Sequence, residues 1–486
     1  MKVEKKTNNR VQFTFDSAEQ REKLAKAVSY KVPGHQHSAS FKTKLWNGTK
    51  CFLTATNTLS TGLFKSLFME HALVYDAERV PLTFDDIPLY KALPNLERRQ
   101  YQLDAINTIF SHQRGLINSV MGSGKTAISA AACSYHLSVN PKHKILFICY
   151  DRNILDQTVK TFKRYGFNVT QFGDGTKDLT GDIVVATIQS LAKIQKPTIV
   201  LKNISFVITD ESHHAKAKSS KAVISKLINC KYFIGLTATP HLPKTLDLAE
   251  LMSVIGPVIY EYGFKQGVED KKIVSVKAFF LDGPVDLDVK CQVFDRKNYK
   301  FIWDTAIQYN EHRNTTLAVI LSSLVDILDT SNLVLVDRVE HGTALIGKLA
   351  NYPNLNTVAM YGGDDIVMRD AKKARLMNEN INTLVSTVVT EGVDFKISPV
   401  VAVNASGRKS FIKLIQFLGR VTRPNEKFKS FRVLVDTIDN THPALRAHSH
   451  ERVKACENFG LEVVTCKSVK ELLVEIIKYY KECQVE

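Results

Sequence analysis

A β-forming run passes straight into a glycine-rich turn, and the turn passes straight into a helix. Leu116-Ile117 lead into Ser119-Val120-Met121-Gly122-Ser123-Gly124-Lys125-Thr126, and Ala127-Ile128-Ser129-Ala130-Ala131 follow. A strand, tight turn and helix in immediate succession is the opening of a parallel α/β layer. The turn itself reads as a phosphate-binding loop. Gly122 and Gly124 let the backbone come close to an anion, Ser123 lies between them, and the main-chain N–H groups and helix N-terminus supply positive potential. Lys125 is expected to reach β and γ phosphates and Thr126 to hold Mg²⁺. Ser119 stands where the usual pattern opens with Gly or Ala.

The rest of the chain repeats this alternation in two blocks. GLINSV, KILFICY, DIVVAT, FVITDE and YFIGLTAT read as strands of the first. VKAFFLD, NLVLVDRV, TVAMYGG, NTLVSTVV, VVAVNAS and RVLVDTI read as strands of the second. Helix-like segments separate them, so each block reads as a parallel sheet flanked by helices. The run Phe206-Val207-Ile208-Thr209 ends at Asp210-Glu211, which places two carboxylates where a strand meets its loop, a position where ligand chemistry collects. Asp210 is the expected metal carboxylate and Glu211 the expected base for an attacking water.

With 486 residues the chain has room for about three domains of ordinary size. A hydrophobic share of 44% suffices for packed cores, and a formal net charge of +16 favours a polyanionic partner. No apolar run reaches the ~20 residues that span a bilayer, and MKVEKKTNNRVQF lacks the apolar centre of a secretory signal. The expectation is a cytoplasmic protein, in the host cytoplasm if viral. The eight cysteines form no CxxC pair and read as reduced, mostly buried thiols with no zinc site.

Asp210-Glu211-Ser212-His213 resembles the DExH box of superfamily 2 helicases, and the resemblance extends over roughly residues 95 to 435. Arg99 and Gln102 in RRQYQ resemble the adenine-reading Q motif. Tyr150-Asp151-Arg152 with Gln157 resembles motif Ia without its usual proline, and Thr187, Gln189 and Leu191 resemble the backbone-gripping segment before motif II. Thr237-Ala238-Thr239 matches motif III, and with His213 it is implied to couple the nucleotide site to strand movement. Arg338 lies in a motif IV-like run; Thr390, Gly392 and Asp394 lie in a motif V-like run. Gln416, Arg420 and Arg423 match motif VI, whose arginines complete the nucleotide site from a second domain. The resemblance implies ATP and Mg²⁺ as cofactors, and nucleic-acid contacts by Arg152, Thr187, Gln189, Arg338 and Thr390.

The implied architecture is α/β: two RecA-like parallel-sheet domains, a small α+β N-terminal accessory domain and a helical C-terminal extension. The boundaries read as 1–90, 91–265, 266–436 and 437–486, with a polar linker near 260–275. In residues 1–90 the sequence predicts a strand (VQFTF), a helix (AEQREKLAKAVSY), a hairpin turning at Asn47-Gly48 and a second helix. Phe41, Lys42, Lys44, Trp46 and Lys50 fit a duplex or junction contact, and equally a packing domain with a solvated basic face. Tyr299, Phe301 and Trp303 with Lys297 and Lys300 read as core more than as a base-stacking surface, and the final VKELLVEIIKYYKE as a helix packing on the second block.

The compact length and small basic N-terminal segment resemble UvsW-like and RecG-like branch-migration DNA helicases, in the manner of a T5-like phage enzyme. The implied substrate is branched DNA, handled by a monomer. An RNA helicase, a duplex translocase that does not part strands, and an ATP-closed clamp are the alternatives, since the motifs grip a phosphate backbone and do not by themselves read the 2′-hydroxyl.

Overall fold

A computed structural model describes residues 1–68, 80–238, 245–283, 285–364, 367–368, 371–372, 374–375, 381–387, 399–409, 411–422 and 427–485. The chain divides into two compact units. One is Met1–Val120 with Gly124–Gly263, the other Phe264–Glu486 with Met121–Ser123.

The first unit opens with β1 (Lys2–Thr7) and β2 (Arg10–Thr14), then β3 (Ser29–Lys31), β4 (Thr49–Cys51) and β5 (Thr58–Ser60). β1, β2 and β5 form an antiparallel sheet, while β3 and β4 pair separately. The expected strand and first helix are there, the helix as Ala18–Ala27 with Ser17 accepting from the Gln20 N–H. The expected hairpin at Asn47-Gly48 is not. β4 pairs with β3 across the excursion of residues 32–48, and Asn47 folds locally, its Oδ1 accepting from the Thr49 N–H (3.0 Å) and hydroxyl (2.7 Å). An Asx turn has taken the place of a strand-joining turn.

The main sheet of this unit contains β6 (Arg114–Ser119), β7 (Lys144–Cys149), β8 (Val169–Gly173), β9 (Thr176–Lys177), β10 (Ile183–Thr187), β11 (Ile204–Thr209), β12 (Tyr232–Thr237) and β13 (Val258–Tyr262). Their order is β13-β6-β12-β11-β7-β10-β8-β9, parallel except for the β8–β9 pair. β10, β11 and β12 are buried along their whole length, as helices on both faces of a parallel sheet require. Successive residues serve opposite cores. Ile145, Phe147, Val185, Phe206 and Ile208 pack on one face, and Leu146, Ile148, Val184, Ala186 and Val207 on the other.

The second unit has β14 (Lys277–Leu281), β15 (Asn332–Leu335), β16 (Thr357–Met360), β17 (Thr383–Ser386), β18 (Val401–Asn404), β19 (Val433–Thr437) and β20 (Glu462–Cys466). They form a parallel sheet in the order β16-β17-β15-β18-β19-β14-β20. Every run anticipated in the second block contains a strand among its described residues. The C-terminal extension is largely helical, Pro443–Phe459 and Val469–Val485, with one unanticipated strand between them: β20, which completes the sheet edge beside β14. Its outer positions are half exposed, so its apolar signal is weak. A buried network holds the middle of this sheet. Arg452 makes a two-pronged pair with Asp436 (2.9 and 3.0 Å), Asn404 donates to Asp436 (2.7 Å), and Arg313 donates to Asp439 (2.8 Å).

Candidate nucleotide site

The expected phosphate loop follows β6 and the acidic pair follows β11, with β12 between these two strands. All three strands present their carboxyl ends to the same edge of the sheet. Gly122 and Gly124 adopt φ of +85° and +83°, the left-handed backbone for which glycine is suited. A Cβ on Gly124 would stand 2.5 Å from Nε2 of Gln102, so Gln102 lies directly against the loop. The helix Lys125–Val139 begins with no side-chain cap, leaving its first N–H groups directed at the loop. Lys125 Nζ donates to the Ser119 carbonyl (3.3 Å), and Thr126 is exposed. An uncapped helix start, two left-handed glycines and a lysine resting on a backbone carbonyl form a cradle that fits a polyphosphate.

β11 stays paired to its last residue, and the Asp210 N–H continues the ladder to the Ile148 carbonyl (3.1 Å). Glu211 then turns sharply, at φ 42° and ψ 51°. A left-handed non-glycine residue costs roughly 1–2 kcal/mol, and here the strain falls on the expected base. Asp210 Oδ1 accepts from the Glu211 N–H (2.9 Å). Burial, and next the neighbouring Glu211 charge, push the Asp210 carboxyl above the usual carboxylate range, while Lys125 acts in the opposite direction. Nδ1 of His213 lies 3.3 Å from Oε2 of Glu211, off hydrogen-bond geometry, and both side chains are buried. A carboxylate crowded by another carboxylate fits a divalent cation. Among the described residues no cluster of three or more His, Cys, Asp or Glu side chains could hold a metal alone, so Asp210 and Thr126 would share the ion with phosphate oxygens and water. A bound Mg²⁺ would neutralise phosphate charge there.

Arg99 sits at the start of the Gln100–His112 helix, held by Glu97 (2.5 Å) and by the Tyr101 hydroxyl (3.0 Å). Tyr101 stacks on Tyr262 at 4.0 Å, a β13 residue that the sequence pattern did not single out. An aromatic beside the Q motif was the available signal. Thr237 is buried at the end of β12, and Thr239 lies outside the described residues. Thr187 caps the helix after β10, accepting from the Ser190 N–H (3.3 Å), and Gln189 is exposed beside it. Arg152 is exposed at the start of the helix Arg152–Arg164, 3.4 Å from Asp174.

In the second unit Arg338 pairs with Asp304 (3.0 Å) and lies 4.8 Å from the Trp303 ring centroid. Arg408 lies 4.4 Å from the same ring and donates to Asp337 (2.9 Å). Trp303 is fully buried, as the core reading expected, and Phe301 is partly exposed. Arg408 was not among the expected residues; its position after β18 in GRKS was the sequence clue. Gln416 is half-buried on the helix Phe411–Val421. The Arg420 side chain and Thr390, Gly392, Asp394 and Arg423 lie outside the described residues.

Fold and site define a helicase-class enzyme that uses ATP. Residues 95–242 match the family described as "Type III restriction enzyme, res subunit". The chain is 25% identical over 408 residues to "Putative helicase 22" of Sulfolobus islandicus filamentous virus (isolate Iceland/Hveragerdi), spanning 79% of this chain and 71% of that one. It is 24% identical over 441 residues to the ATP-dependent DNA helicase uvsW of Enterobacteria phage T4, spanning 85% of each. Among solved structures, S. cerevisiae Dbp5 bound to RNA and ADP BeF3 matches 83% of this chain and 97% of its own length, with TM-score 0.54 and 14% identity. That likeness is one of fold.

Proposed function

We propose that the protein is an ATP-dependent DNA helicase or translocase that unwinds or branch-migrates branched DNA, such as Holliday junctions and forks, in recombination, repair or replication. The observation that carries the DNA assignment is the similarity to uvsW along 85% of both chains. The net charge of +16 supports a phosphate-backbone partner.

In this reading Lys125, the loop N–H groups and Thr126 bind and orient the phosphates, while Arg99 and Gln102 read the base. Glu211 takes the proton of the attacking water, Asp210 holds the metal, and His213 with Thr237 and Thr239 passes the state of the site to the strand-gripping residues. Gln416, Arg420, Arg423, Gly392 and Asp394 complete the site from the second RecA-like domain. Arg152, Thr187, Gln189, Arg338 and Thr390 hold the phosphate backbone. The working division is 1–90, 91–265, 266–436 and 437–486, acting as a monomer in the cytoplasm, with the first segment holding one arm of a junction.

The restriction-subunit family match favours a second reading, translocation along duplex DNA without strand separation. Turnover and strand separation on a mobile four-way junction, a fork, linear duplex and matched RNA distinguish the readings, with Glu211→Gln as control. Junction-selective unwinding is expected. Hydrolysis with triplex displacement but no unwinding would establish the duplex translocase, and RNA-selective turnover would establish an RNA helicase.

A further inference from the structure

β6 carries the phosphate loop at its end and Arg114 at its beginning, on the opposite edge of the sheet. At that edge a cavity of about 590 Å³ opens between the N-terminal strands and the main sheet of the first unit. Its lining includes Arg10, Arg114 and Lys221 together with Asn9, Thr58 and Ser225. The volume falls within the ~300–1,000 Å³ of small-ligand sites.

Among the described residues the cations here are poorly matched by acids. Arg114 is 4% exposed, and its guanidinium donates to Asn9 Oδ1 (2.5 Å) and to the Val254 carbonyl (3.4 Å), both neutral. It also lies 4.9 Å from the Phe233 ring centroid. Arg10 donates to the Thr58 hydroxyl (3.3 Å), again neutral. Lys221 is 3.4 Å from Glu250, but the same carboxylate also pairs with Lys50 at 2.5 Å. Close by, Lys65 donates to the His112 carbonyl (2.6 Å), and burial, then the charges of Arg114 and Lys5, hold its ammonium down at about 8. A buried guanidinium is costly unless a counter-charge meets it, and Arg114 carries more N–H donors than its contacts with Asn9 and Val254 engage. Cationic walls, hydroxyl and amide neighbours and a nucleotide-sized volume describe the complement of a phosphate group.

We propose that this cavity is a second phosphate site, separate from the nucleotide loop, that binds a phosphate group presented by a nucleic-acid strand or by a free nucleotide-sized anion. It does not depend on the branched-DNA reading, and its test uses no hydrolysis.

The full chain carrying Lys125→Ala removes the main cation of the loop. Its thermal unfolding is followed against inorganic phosphate, with sodium chloride at matched ionic strength as control. Phosphate should raise Tm saturably where chloride does not, and Arg114→Gln should weaken the apparent affinity about tenfold or more. If Arg114→Gln does not fold, the double variant Arg10→Gln with Lys221→Gln should weaken the same response. Displacement of phosphate by an excess of short duplex would support the site in its strand-binding form, and persistence of the response would support it as a free-anion site. Absence of a saturable phosphate response, or an equal response in all variants, overturns the proposal.

Discussion

Gly124 is the residue at which backbone and neighbour constrain the site together. Its φ of +83° disfavours any side chain, and an added Cβ would overlap the Gln102 amide. Gly124→Ala should therefore cost about 1–3 kcal/mol of stability and weaken nucleotide binding. Adding Gln102→Ala should recover the steric part only; a double-mutant cycle by urea unfolding would test this, and full recovery would mean the left-handed backbone costs nothing. Lys125→Ala should abolish measurable nucleotide binding, and normal turnover in that variant would sink the phosphate-loop assignment. Glu211→Gln should retain nucleotide while hydrolysis falls about 10²–10⁴-fold, and unaltered turnover would remove Glu211 from the base role. The glycine-rich turn at 119–126 and the acidic pair at 210–211 were legible as a candidate site because each is a short-range pattern of residue types. The left-handed turn of Glu211 and the Gln102–Gly124 contact were not, because long-range packing sets both.

The helix that starts at Lys125 also carries His136, buried beside β11 with Nε2 2.8 Å from the Ser205 hydroxyl. Burial, then the charges of His143 and Lys231, push its imidazolium down to about 4. The folded state thus binds this proton less readily than the unfolded chain, whose histidine titrates near 6.5. Between pH 6.5 and 4 the unfolded state holds more protons, so the stability supplied by neutral His136 is complete above 6.5 and lost as pH falls through that window. His341 in the second unit, pushed down to about 3 mainly by burial, acts in the same sense. Denaturant midpoints measured from pH 7 to 4.5 should fall, and His136→Gln should flatten the slope; an unchanged slope would assign the loss to other groups. Among elements, the central strands were readable because burial on both faces leaves runs such as FVI and FFL without polar interruption. The Asn47-Gly48 turn was misread because its flanking strands are three residues long and pair across an excursion, so a local turn preference had no local partner to join.

The N-terminal segment is tied to the helix Leu246–Val254 and to β6 of the first unit. Val11, Phe13, Leu24 and Leu59 share one core with Ala249, Lys50 pairs with Glu250, and Asn9 accepts from Arg114. Deleting residues 1–68 should therefore lower Tm by about 4 °C or more, besides any loss of branched-DNA affinity; an unchanged Tm in calorimetry would show that this segment packs without contributing stability. The sequence by itself determined the α/β class and the two alternating blocks, and it singled out the glycine-rich turn and the acidic pair as the candidate site, because each depends on residues near one another along the chain. The tertiary structure alone decided that Glu462–Cys466 closes the second sheet, that Tyr262 stacks on Tyr101, that Arg338 and Arg408 share Trp303, and that Arg114 is buried with neutral partners beside a cavity. Each of these joins residues far apart in sequence, where burial and charge are set by what the fold brings alongside and the local pattern carries no trace of the partner.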